Sequence, residues 1–332
     1  MKIEITKYKN PIIWLDTNFI ITMARNNDPR SAKLMNFLKE RQGIYFLVEG
    51  EDTELSMGNG NMKQYLDLLT KLSFGVSFLP YELIEQLQFK AVARTFLGNK
   101  NSAILETSDY IKSDPMQKYK QFKEIGLLTG SHSNLPIMRS LNKNTKEEIF
   151  IRLNKERPSG RSIAEQQELE SGTPAKIFRL FLHAMMKKRE VQPGVKLKDL
   201  FEGSLEDGTD FANHFEFSSK RIQWWRAIGG SNNLLDALGE TYKFTESESF
   251  KNMPFNRINS ILWGDIYAGN ETIKASDYWD VKHISAVLPF CNIIFTEKRM
   301  SLRIKQYSLD REYQTEVYSM QNIEEFFQKH KK

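Results

Sequence analysis

The sequence predicts an α/β protein built on a parallel sheet, and two observations predict it. Short apolar runs alternate with amphipathic stretches at both ends of the chain. The clearest of these runs, Ile12-Ile13-Trp14-Leu15 and Ile293-Ile294-Phe295, are continuous rather than alternating, as strands buried on both faces are.

Each element follows from its own pattern. Pro11 to Leu15 reads as a buried strand, and "TNFIITMAR" as the first turns of a helix. "SAKLMNFLKERQG" is a second helix, with a stop at Gly43. Ile44 to Glu49 reads as a strand and "GEDTELSMGNGN" as a loop. "MKQYLDLLTKLS" has helical spacing, "FGVSFLP" is a strand closed by Pro80, and "YELIEQLQFKAVARTFLG" is an amphipathic helix. From Asn99 to about Ser260 the chain is rich in helix formers and lysine, with few convincing strands. Breaks are expected there at "GSHSNLP", "ERPSGRS", "ESGTP" and "QPGVK". Order returns with "SDYWDVKHISAVLPF" as helix, "CNIIFTEK" as strand, "MSLRIKQYSL" as helix, "TEVYSM" as strand and "NIEEFFQKHKK" as a last helix. This divides the chain into an α/β domain of residues 1–98 and 261–332, and a mostly helical insertion of residues 99–260.

Bulk composition narrows the class. Of 332 residues, 40% are hydrophobic and 27% charged, which is the balance of a soluble globular protein. No run reaches the roughly 18 apolar residues of a membrane span, so no membrane partner is expected. "MKIEITKYKN" has no apolar core of signal-peptide length, so a cytoplasmic location is expected. One cysteine, Cys291, excludes a disulfide framework and a thiolate zinc cage within one chain, and it reads as a small buried residue. The net charge of +5 permits a polyanionic partner without requiring one.

Acids recur where strands end or helices begin. Asp16 directly follows Leu15; it fits an N-cap, and it equally fits a ligand site beyond the carboxyl end of a parallel strand. Glu82 and Glu85 lie three apart in "PYELIEQL", and Glu85 sits among Leu83, Ile84 and Leu87. In "SDYWDVKHISAV", Ser276 reads as the N-cap, Asp277 as a first-turn acid, and Asp280 borders the stripe Val281, Ile284, Ser285 and Leu288. Thr296 and Glu297 follow Phe295 as Asp16 follows Leu15. Carboxylates gathered at one sheet end repel unless a cation neutralises them, and hard divalent ions take such oxygen ligands. A metal held this way can generate hydroxide for attack at phosphorus. His283, one turn from Asp280, reads as a packed histidine, since imidazole suits zinc or iron better than magnesium.

These motifs resemble those of PIN-domain nucleases. "IIWLDTNFI" is similar to the family's opening motif, "FLPYELIEQL" to its second, and "DVKHISAVLPFCNIIFTEK" to its closing one. The resemblance covers roughly Pro11 to Gly98 and Ala275 to Met320. It implies a Rossmann-like three-layer parallel sheet and an endoribonuclease dependent on Mg²⁺ or Mn²⁺. It assigns catalysis to Asp16, Glu85, Asp280 and Glu297, with Asp277 joining Asp16, Glu85 and Asp280 at the metal. Glu297 stands where the family usually has Asp, and Asn292 where relatives often have Asp. Thr17, Asn18 and Thr296 would orient the acids.

An ordinary PIN domain is much shorter than this chain, and the extra length is the insertion between the second and third motifs. Its run "KRIQWWR" interleaves Lys220, Arg221 and Arg226 with Trp224 and Trp225, a pattern that holds phosphates and stacks bases, or equally a helix with a tryptophan core. "HAMMKKRE" is a second basic cluster, and Lys298 adds a cation beside Glu297. No G-x-x-x-x-G-K-[ST] or H-E-x-x-H motif is present. The haloacid dehalogenase pattern needs an Asp two residues after Asp16, where this chain has Asn18. RNA is the expected partner, with DNA or a catalytically inactive RNA-binding or assembly module as alternatives. Whether the chain forms a homo-oligomer is left open.

Overall fold

A computed structural model describes residues 1–50, 62–98, 100–125, 151, 153–155, 157, 160–191 and 209–331. The chain divides into two compact units. A sheet unit holds Ile5–Ile84, Leu105–Ser159 and Asp265–Lys332; a helical unit holds Met1–Glu4, Glu85–Ile104 and Gly160–Gly264.

The sheet unit is α/β and parallel. Ile12–Leu15 pairs on one side with Phe46–Leu47 and on the other with Ile293–Phe295, which pairs in turn with Glu316–Tyr318. Beyond Val48 the second segment continues as Glu49–Gly50, beside Ser77–Phe78. The backbone joins these pieces: Val48 N–H donates to the Ile13 carbonyl at 3.0 Å and Glu49 N–H to that of Val76 at 3.1 Å. The chain therefore steps outward from its first strand to one edge, then returns to that strand's other side. The reversal lies between Ile12–Leu15 and Ile293–Phe295, and the carboxyl ends at such a switch point frame a ligand crevice.

All four residues of Ile12–Leu15 are buried, so both faces of the strand are covered. On one face Ile13, Leu15, Ile293, Phe295 and Tyr318 join Phe19, Ile20, Met23, Leu34, Leu66, Leu69 and Phe326 in one core. Alternation sends Ile12, Trp14 and Ile294 to the other face, where they are equally buried. Each such side chain contributes about 1.5–3 kcal/mol.

Helices follow the strands at Thr17–Arg25, Pro29–Glu40, Met62–Ser73, Ala275–Val287, Lys298–Gln306 and Ile323–Lys329. Asp28 caps the second of these, accepting from the Arg30 amide at 2.8 Å, with Pro29 at its first position. That helix ends at Glu40, and Gly43 turns the chain with φ of +91°, where a Cβ would meet the Tyr119 ring at 2.8 Å. Asn292 closes the amino end of the sheet: its side-chain oxygen accepts from the Ile12 amide and its own amide donates to the Ile12 carbonyl, both at 2.9 Å.

The helical unit is assembled around aromatic rings. From the helix Tyr81–Leu97 it contains the part beginning at Glu85. It also includes the helices Ile163–Val191, Thr209–Ala227 and Leu234–Glu246. Phe89, Trp225, Phe244 and Phe250 are buried and meet edge-on or tilted, with Phe244 centred 5.2 to 5.5 Å from the other three.

Several expectations need correction. "ESGTP" does not break the chain: Pro174 lies inside Ile163–Val191. An interior proline costs about 3 kcal/mol, which burial of Ala175, Phe178 and Phe181 on the following turns offsets. Lys2–Thr6 and Ser102–Glu106, in segments not read as strands, pair as a separate two-stranded sheet. Only every second residue of each is covered, and each strand needs its partner a hundred residues away. Ser276 is not the N-cap; Lys274 holds that position and the helix begins at Ala275. "GEDTELSMGNGN" beyond Gly50, "GSHSNLP" and "QPGVK" lie outside the described residues. Among the described residues no helix is long and apolar enough to cross a membrane.

Candidate functional site

Asp16 extends the sheet before it starts a helix. Its amide donates to the Phe295 carbonyl at 2.8 Å, so the ladder holds its backbone at the switch point. It occupies the N-cap of Thr17–Arg25 in extended conformation, yet its side chain makes no capping hydrogen bond. The residue is only 8% exposed, and Thr296 Oγ1 donates to its Oδ2 at 3.1 Å. Burial pushes its carboxyl above the usual range, opposed by the Thr296 hydroxyl and by the amides of Glu297, Asn18 and Thr17. Thr17 and Asn18 act here through backbone; the Asn18 side chain is exposed.

Thr296 and Glu297 repeat this arrangement on the neighbouring strand. The Thr296 amide donates to the Tyr318 carbonyl at 2.9 Å, which fixes its buried hydroxyl toward Asp16. Glu297 is the N-cap of Lys298–Gln306 and likewise makes no side-chain cap. Its carboxyl is pushed up by burial and then by Asp16 and Asp277, against Arg299 and Arg303.

The helix Ala275–Val287 brings the other two acids. Asp277 is 2% exposed and does structural work, its Oδ2 accepting from the Lys274 amide at 2.7 Å. Asp280 is one turn on and half-buried, and its carboxyl is pushed up to about 8. Burial is the largest cause, followed by the negative charges of Asp16, Glu297 and Asp277; Arg299 alone opposes them. Asp16, Asp277, Asp280 and Glu297 thus form one electrostatic cluster, drawn from two strand ends and a helix. His283 packs against the Trp279 ring, and burial lowers it to about 4, so it is neutral near pH 7.

Positive charge reaches the rim of this cluster from the helix Lys298–Gln306. Arg299 Nη1 lies 3.7 Å from Asp277 Oδ1, and its Nη2 pairs with Glu271. Arg303, four residues on, donates from Nε to Asp265 at 2.6 Å and from Nη2 to Glu271 at 3.4 Å. Neither arginine was singled out from the sequence. Their spacing of four on a helix opening at Glu297 was the available signal. Glu271, in the segment before Ala275, carried none.

The remaining predicted residues make other contacts or stand exposed. Glu85 belongs to the helical unit, where the buried Arg221 guanidinium donates to its Oε1. Trp225, 1% exposed, donates from Nε1 to Glu240 at 2.7 Å, and Trp224 packs half-buried on Phe89. Lys220 and Arg226 are the exposed cations of that run, and Lys298 is exposed in the sheet unit. His183 of "HAMMKKRE" is exposed; the side chains of residues 184–190 lie outside the description.

Among the described residues, no group of three or more His, Cys, Asp or Glu side chains is arranged to hold a metal ion. Neighbouring acids raise the proton affinity of Asp280 and Glu297, but the cluster does not converge as a coordination set. No protein-family model, no curated protein and no solved structure matches the chain.

Proposed function

We propose that this chain is a divalent-metal-dependent nuclease acting on RNA, with a PIN-like sheet unit carrying the site. The observation that carries the reading is the acid cluster at the switch point, only partly offset by Arg299. Burial, and after it the charges of Asp16, Glu297 and Asp277, pushes the Asp280 carboxyl up to about 8. A protein gains nothing in stability by gathering such acids, and a doubly charged cation relieves the repulsion.

The donor set fits Mg²⁺ or Mn²⁺, since every candidate is a hard oxygen. Asp16, Asp280 and Glu297 would hold the ion, with Asp277 committed to its helix start and available only at its second oxygen. Those side chains must converge from their present positions to do so. When bound, the ion supplies charge neutralisation at phosphorus and an acidified water. The chain's own part is separate. Thr296 orients Asp16, while the sheet ladder holds both strand ends. Arg299 supplies positive charge beside the acids. Glu85, engaged by Arg221, is left out of this reading.

The test is cleavage of RNA in Mn²⁺ by wild type beside Asp16→Asn and Asp280→Asn, with DNA run in parallel. Equal cutting by all three proteins refutes the assignment, and preferential DNA cutting changes the substrate.

One observation favours a second reading: the acids do not stand as a coordination set and Arg299 already neutralises part of their charge. On that reading the chain is a metal-free RNA-binding or assembly module. Calorimetry distinguishes them, because RNA binding without any Mn²⁺ heat supports the module.

A further inference from the structure

We propose that Glu271 is an internal stand-in for a substrate phosphate: its carboxylate occupies Arg299 and Arg303 at the rim of the acid cluster, and a phosphodiester of single-stranded RNA displaces it. The choice of RNA as the displacing anion rests on the nuclease reading; the ion-pair exchange rests on the geometry.

Arg299 and Arg303 lie four apart on Lys298–Gln306, so they share a helix face. Both guanidinium groups reach the one carboxylate of Glu271. Each does so through Nη2 to the same oxygen, Oε2, and a guanidinium that pairs with a carboxylate oxygen pairs with a phosphate oxygen in the same way. The two arginines differ in how firmly they are held. Arg303 has a side chain only 9% exposed, anchored through Nε to Asp265, which also accepts from the Tyr307 hydroxyl at 2.5 Å. Its Nη1 is buried and lacks a hydrogen-bond partner among the described residues, which leaves a donor in reserve. Arg299 is the more accessible of the pair and stands between Glu271 and Asp277.

Glu271 is the displaceable member. Its side chain is 63% exposed, so turning it into water uncovers no core. Its backbone stays where it is. Arg157 donates to the carbonyls of Ile266, Gly269 and Glu271, and Asn154 exchanges two hydrogen bonds with Ile273. The exchange is therefore a side-chain rotation on a pinned segment. Its result is a phosphate beside Asp277, Asp280 and Glu297, where a phosphodiester has to lie if those acids serve it.

The experiment measures anisotropy of a short labelled single-stranded RNA on the full chain in EDTA, so that no metal contributes. Glu271→Gln is expected to bind several-fold tighter, because the competing charge is gone. Arg299→Ala is expected to bind about tenfold weaker, with a salt slope reduced by about one. The double variant is expected to bind no tighter than Arg299→Ala. Unchanged or weaker binding by Glu271→Gln overturns the proposal, as does failure of every variant to bind RNA. Glu271→Gln alters an exposed side chain, and a melting curve beside wild type verifies its fold. Cleavage in Mn²⁺ separates the two ideas. Tighter binding by Glu271→Gln without Asp280-dependent cleavage sinks the nuclease reading and keeps the exchange; the converse result keeps the nuclease and sinks the exchange.

Discussion

Replacing Asp280 with Asn should stabilise the metal-free protein at neutral and higher pH. Its carboxyl ordinarily ionises at 3.8 and is pushed up to about 8 in the fold. The folded state therefore binds protons more tightly than the unfolded chain, and stability drains away as pH rises from about 4 to about 8. At pH 7 the full effect of that difference is about 4 kcal/mol. Asp280 is only half-buried, and screening by solvent reduces the realised cost to about 2 kcal/mol. An uncharged, nearly isosteric amide removes this cost. Across 332 residues, 2 kcal/mol corresponds to a rise in Tm of about 3 °C. The assay is thermal unfolding of both proteins in EDTA across a pH series from about 4.5 to about 8. The gap should shrink to under about 1 kcal/mol at the acid end. Added Mn²⁺ should stabilise wild type more than the variant. An Asn variant equal to or below wild type at about pH 8 would mean that the acid cluster is not under charge strain, and the premise for a cation falls with it.

Three further outcomes follow from other parts of the molecule. Thr296→Val removes the hydroxyl bonded to buried Asp16, which should cost about 1–2 kcal/mol in urea unfolding; no loss would show that the contact contributes nothing. Glu85→Gln leaves the buried Arg221 without its counter-charge and should cost about 3–5 kcal/mol, whereas the double variant Glu85→Gln, Arg221→Met should recover most of it. His283 is lowered to about 4 by burial, so its contribution to stability is lost as pH falls from about 6.5; in His283→Gln that part of the acid-unfolding profile should flatten, and an unaltered profile would place the sensitivity elsewhere.

How much of this was readable in advance depended on the distance over which each feature is encoded. The placement of Asp16 and Glu297 was legible because each follows an unbroken apolar run, and a buried strand must stop where a charge arrives. Asp280 was legible as a helix residue beside an apolar stripe. The helical character of "KRIQWWR" was legible too, but not which of its bases would be sequestered. Arg221 is buried against the opposite charge of Glu85, which lies more than a hundred residues earlier. The proline at 174 argued locally for a break and lost to the phenylalanines that follow it.

The sequence by itself determined the change from strand to helix after Ile12–Leu15 and Ile293–Phe295, because the periods of apolar residues and the positions of acids are local properties. Only the tertiary structure decided that Asp16 and Thr296, 280 residues apart, share a hydrogen bond, and that Arg299 and Glu271 border the same acids. The physical reason is that strand order sets which strand ends become neighbours, and charge repulsion depends on distance in space rather than along the chain.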